Sequence, residues 1–61
     1  MKCKIYSIEG DFISEHKFRY GEPLVGDAIL IRGWGLVYIY SRRWTQDGSL
    51  ELIVNDEKQG Q

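Results

Sequence analysis

At 61 residues the chain has room for one domain, and a net charge of −1 argues neither for a nucleic-acid binder nor for an acidic mimic of DNA. One cysteine and one histidine exclude an intrachain disulfide and a Cys/His zinc set. A domain this small buries only about 60% of the surface its unfolded chain exposes, so packing must hold it, with self-association as a further source of stability.

The glycines at 10, 21, 26, 33, 35 and 48 punctuate short runs rich in Ile, Val, Tyr, Phe and Trp. Glycine reaches positive φ without steric cost, so these positions read as turns, and the runs between them read as strands. The first strand is expected over residues 2–8. Its charges, Lys2, Lys4 and Glu9, come too close together for the core of a secretory signal. The longest uncharged run, Gly33 to Ser41, has nine residues, well short of the roughly 20 a membrane helix needs. No membrane association is expected. A free thiol without an export signal points to the cytoplasm.

The second strand is expected over 12–20. Either Glu9-Gly10-Asp11 is a three-residue loop before it, which groups Tyr6, Ile8, Phe12, His16 and Phe18, or Gly10-Asp11 is a two-residue one, which groups Cys3, Ile5, His16 and Phe18. A short helix over 11–20, capped by Asp11 with Phe12, Ile13, His16 and Tyr20 on one side, is the alternative. Glu22 to Asp27 is a connection, because Pro23 fixes φ and has no N–H to give a central strand.

The third and fourth strands, 27–32 and 36–44, form the clearest hairpin. A Gly33-Trp34-Gly35 loop sets Arg32 opposite Leu36, Ile31 opposite Val37, Leu30 opposite Tyr38 and Ile29 opposite Ile39. One face is then Ile29, Ile31, Val37 and Ile39, all β-branched and suited to a core. The other is Ala28, Leu30, Arg32, Leu36, Tyr38 and Tyr40. Asp47-Gly48 reads as a two-residue hairpin leading to a fifth strand, 49–54, which offers Leu50, Leu52 and Val54 inward. A regular ladder from that turn would set Arg43 against Leu52, so a bulge is expected near Ser41–Arg43, turning Arg43 outward and Trp44 inward. Residues 55–61 carry no apolar side chain and read as a flexible polar tail behind a domain of residues 1–54.

These elements suggest an all-β domain, a small five-stranded antiparallel meander that sets strand one against strand five and closes into an SH3-like barrel. The alternative is an open sheet burying one face in a homodimer. The run Val25-Gly26-Asp27-Ala28-Ile29-Leu30-Ile31, followed by a glycine turn, resembles many SH3-like barrels at the level of fold. The likeness covers roughly half the chain, and a shared fold implies no function.

No cofactor, metal or enzymatic activity is expected. Gly33-Trp34-Gly35-Leu36-Val37-Tyr38 has Tyr38 where a dinucleotide fingerprint needs its third glycine, and it leads into a strand. No phosphate-binding loop and no His-Glu-x-x-His occurs. A Cys3–His16 pair on adjacent strands has no orienting group or oxyanion hole in the sequence. Cys3 reads as core and His16 as a sheet or rim residue. Glu9/Asp11 and Asp56/Glu57 read as solvated turn and tail.

What remains is the segment from Arg32 to Trp44, with three arginines, no acid and four of the chain's eight aromatics. The candidate binding residues are Arg32, Trp34, Tyr38, Tyr40 and Arg42. Aromatics with arginine suit a protein partner, where Trp, Tyr and Arg are common anchors. They also suit single-stranded RNA or DNA, whose bases stack on rings while arginines meet phosphates. The sequence therefore suggests a small non-enzymatic binding or adaptor module engaging a protein partner. The alternatives are a single-stranded nucleic-acid binder and a structural subunit of a larger complex. Against all of these stands a plain solvated sheet face.

Overall fold

The computed structural model describes residues 2–19 and 21–56. Among them are five strands and no helix: β1 (Lys2–Ser7), β2 (Phe12–Lys17), β3 (Ala28–Ile31), β4 (Gly35–Trp44) and β5 (Leu50–Asn55). Each lies within the expected run or one residue beyond it. Residues 12–17 form a strand rather than part of a capped helix. The polar run from Glu57 onward lies outside the described residues.

Two-residue alternation builds the core. β1 buries Cys3, Ile5 and Ser7 and turns Lys2 and Lys4 to solvent. Ile29 and Ile31 of β3, Val37 and Ile39 of β4, and Leu50, Leu52 and Val54 of β5 are buried with them. A flat sheet cannot bury one of its own faces, and no helix or second sheet covers this one among the described residues. The sheet instead curls into a half-barrel and folds the face onto itself, with Ile13 and Phe18 packed against it.

The strand order is β2-β1-β5-β4-β3. Strand one does lie beside strand five, but two features correct the expected antiparallel barrel. First, β1 and β5 run parallel, with Ile5 beside Leu52. Strands one and five of a five-stranded meander point the same way, so joining them makes a parallel pair. Second, β2 and β3 do not pair among the described residues, and the ring of strands is open between them. The intervening connection hydrogen-bonds to β4 instead. Gly26 N–H donates to Ile39 O (2.9 Å), Ile39 N–H donates to Asp27 O (2.9 Å), and the Arg42 guanidinium donates to Pro23 O (3.0 Å).

The hairpin registers also differ from expectation, and each difference has a local cause. In β3–β4, Ile31 faces Gly35, Leu30 faces Leu36, Ile29 faces Val37 and Ala28 faces Tyr38. Trp34 N–H donates to Ile31 O (2.9 Å), so the turn begins one residue earlier than the glycine spacing suggested. The shift between the two registers is two residues, which keeps every side chain on its expected face.

In β4–β5 the loop is Gln46-Asp47-Gly48, not Asp47-Gly48: Thr45 N–H donates to Ser49 O (2.8 Å). The extra residue sets Arg42, not Arg43, opposite Leu52, and Trp44 opposite Leu50. A bulge between Ile39 and Ser41 then leaves Tyr40 unpaired and brings Ile39 opposite Val54. In β1–β2, Tyr6 faces Phe12 while Cys3 faces His16. The register shift beside Ile5 keeps Cys3 and Ile5 with His16, as in the second expected grouping, and leaves only Tyr6 with Phe12 from the first. The loop is Ile8-Glu9-Gly10, neither of the two expected, because Ser7 N–H donates to Asp11 O (2.8 Å).

Candidate binding surface

The five candidate residues do not share one face. Tyr38, half-buried, lies on the outward face between Ala28 of β3 and Asn55 of β5. Tyr40 is exposed in the bulge. Arg32 is exposed in the turn and has no ion pair among the described residues. Arg42 is the correction. Its register partner is the buried Leu52, so it lies on the inward face. There it is half-buried, donating to Pro23 O and lying 3.7 Å from Glu22 Oε2. It pins the connection over the core. Arg43 does turn outward, where its Nε (2.9 Å) and Nη2 (2.6 Å) both reach Glu51 Oε1 across the ladder. Trp44 shares a face with Leu50 but ends the strand and stays 51% exposed, so it is not a core residue.

The outward side of the β3–β4 hairpin is more apolar than basic. Leu30, 76% exposed, stands directly opposite Leu36, 51% exposed. Trp34 at the tip is 54% exposed. It lines a hollow of about 170 Å³ shared with the turn after β1 and the end of β5. Its lining includes Ser7, Ile8, Glu9, Val37, Val54 and Asp56 as well as Trp34. Glu9 and Asp56 are far apart in sequence and looked like ordinary solvated acids. Only the parallel β1–β5 pairing, which ends both strands at the same place, brings them to one opening.

A second hollow, of about 220 Å³, lies where the strand ring is open, between Phe18 after β2 and Ala28 and Ile29 of β3, with Pro23 in its lining. On the other side of the core, Cys3 and His16 are register partners. Cys3 is buried, and burial pushes its thiol pKa up, the opposite of what a reactive thiolate requires. Among the described residues no group of three or more His, Cys, Asp or Glu side chains could hold a metal ion, and no helix is long and apolar enough to cross a membrane. Comparisons with protein-family models, curated proteins and solved structures find no match.

Proposed function

We propose that this chain is a small protein-binding module whose contact surface is the β3–β4 hairpin, with Leu30, Leu36 and Tyr38 on its outward face and Trp34 at its tip. The observation that carries this reading is the Leu30–Leu36 pair. Two leucines directly opposite one another, both more than half exposed, put an apolar pair on the outward face of a hairpin whose tip carries an exposed tryptophan, the kind of surface that partners cover. The charge arrangement favours protein over nucleic acid. Of the three arginines in the segment, Arg42 is bound to Pro23 and Glu22, and Arg43 to Glu51. Arg32 alone is left to meet phosphates, too few for strong strand binding. The curled sheet with β1 beside β5 supports assigning the module to the small SH3-like barrels, opened between β2 and β3.

The test is cross-linked capture from the native host, comparing the wild type with a Leu30→Ser/Leu36→Ser variant. Both side chains are exposed, so the variant should keep its circular-dichroism spectrum. The expected result is a partner retained by the wild type and lost by the variant, with no salt-sensitive binding to mixed-sequence single strands. Equal capture by both proteins overturns the reading. Strand binding that falls steeply with salt and is lost in Arg32→Ala replaces it with the nucleic-acid one.

A further inference from the structure

We infer that the hollow lined by Trp34 takes a basic side chain, lysine or arginine, of the partner protein. This rests on the hairpin being a protein-contact surface, and it gives the partner a chemistry.

Three segments converge on the hollow: the turn after β1, the hairpin tip, and the end of β5. Its volume of about 170 Å³ suits one extended side chain and is smaller than the roughly 300–1,000 Å³ of drug-sized ligand pockets. The buried Val37 and Val54 line it with apolar surface that can cover the methylenes of a long side chain. Trp34 brings an indole ring, whose face attracts cations more strongly than any other aromatic side chain. Glu9 and Asp56 add two carboxylates.

The charge balance selects the occupant. No Lys, Arg or His lines the hollow, and neither carboxylate is in an ion pair among the described residues. An anionic group would be repelled by both acids. A neutral apolar group would fill the space but gain nothing from the two carboxylates or from the cation affinity of the indole ring. A cation on an alkyl stem matches the apolar lining, the ring and the carboxylates together.

The test uses Trp44→Phe, which leaves Trp34 as the single tryptophan, and follows its fluorescence and the methyl resonances of Val37 and Val54 by NMR. The probes are N-acetyl-lysine methylamide and N-acetyl-arginine methylamide, with N-acetyl-norleucine methylamide as the neutral control. At least one basic probe should move the Trp34 and valine signals, and norleucine should not. Glu9→Gln with Asp56→Asn should weaken that binding about tenfold, the combined effect expected of two exposed charge contacts. Norleucine binding as well as the basic probes, or shifts that fall elsewhere on the sheet, overturns the proposal.

A second arm separates this proposal from the reading it rests on. Capture of the partner should weaken in Glu9→Gln/Asp56→Asn as well as in Leu30→Ser/Leu36→Ser. Capture lost only in the leucine variant keeps the hairpin surface and overturns the basic-side-chain site. Probe binding in the hollow with capture unaffected by either variant marks a site for free cations and overturns both the partner side chain and the hairpin reading.

Discussion

The turns at Ser7–Asp11 and Thr45–Ser49 are built alike, while the tip at Ile31–Gly35 is built differently, and the difference accounts for Trp34. In the first two, the opening residue donates its N–H to the carbonyl of the fifth (2.8 Å in each), and glycine in the fourth place donates back to the opening carbonyl (2.9 and 3.1 Å). That glycine has φ of 98° at Gly10 and 90° at Gly48, the left-handed residue that closes a three-residue hairpin loop. The opening hydroxyl of each accepts the N–H of the fifth residue, at 3.1 Å for both Ser7 and Thr45. At the tip the glycines move to the third and fifth places, Gly33 with φ 87° and Gly35 with φ 82°. The fourth place no longer has positive φ, so a bulky side chain can occupy it, and Trp34 does. The anchored turns need glycine in that place, whereas the tip can present an aromatic there.

Within the anchored pair, burial sets the scale. Ser7 is buried and its Oγ also accepts Glu9 N–H (3.3 Å), whereas Thr45 is half-buried and Asp47 Oδ1 still accepts Ser49 N–H (3.0 Å) if the hydroxyl is lost. Ser7→Ala should therefore cost about 1–3 kcal/mol, the net worth of the two hydrogen bonds that its hydroxyl accepts. Thr45→Ala should cost about 1 kcal/mol, nearer a single ordinary hydrogen bond. Urea unfolding of the two variants checks the order, and a larger loss at Thr45 breaks the comparison.

The third place of the anchored turns differs by one methylene. Asp47 bonds within its own turn, and hydrogen bonds from the Thr45 hydroxyl and from Ser49 hold its pKa down at about 2. Glu9, in the same place, makes no side-chain hydrogen bond among the described residues and lines the hollow instead. Because the folded pKa of Asp47 is lowered, its contribution to stability is fully present above the ordinary carboxylate pKa of about 4. It is lost as pH falls through about 2. An NMR titration should place Asp47 near that value, and Thr45→Ala should move it up toward the ordinary range. An unmoved value would show that the Thr45 hydroxyl is not what holds it.

The smallest effect on stability is expected at the tip. Trp34→Ala should change the unfolding free energy by less than about 0.5 kcal/mol, as for an exposed side chain away from the core. The same change should weaken the partner by about 2 kcal/mol, as for an aromatic anchor. A large loss of stability would mean that Trp34 is a lid on the core and not a contact residue.

Much of the fold was legible because strand side chains alternate with period two. Ile29, Ile31, Val37 and Ile39 were assigned to the core from a register that was off by two residues. An even error leaves every face unchanged. The β4–β5 turn is off by one, and there one face changes: Arg42 goes in, while Arg43 turns outward and Trp44 inward as expected, with Trp44 left 51% exposed. The candidate surface suffered accordingly. Trp34, Tyr38 and Tyr40 kept their places, while Arg42 became part of the scaffold and Leu30 and Leu36 emerged as the exposed pair. No local pattern links Glu9 with Asp56, since 46 of the 61 residues lie between them.

The sequence by itself determined the number of strands, their alternation and most of the core, because these follow from local propensity and from a periodicity each strand carries alone. Only the tertiary structure decided the neighbours. Setting β1 parallel to β5, leaving the ring open between β2 and β3, and bringing Glu9, Trp34 and Asp56 around one hollow all depend on contacts between distant segments. Such contacts form when a curled sheet buries a single face. That burial depends on the total apolar surface brought together, which no short stretch of sequence encodes.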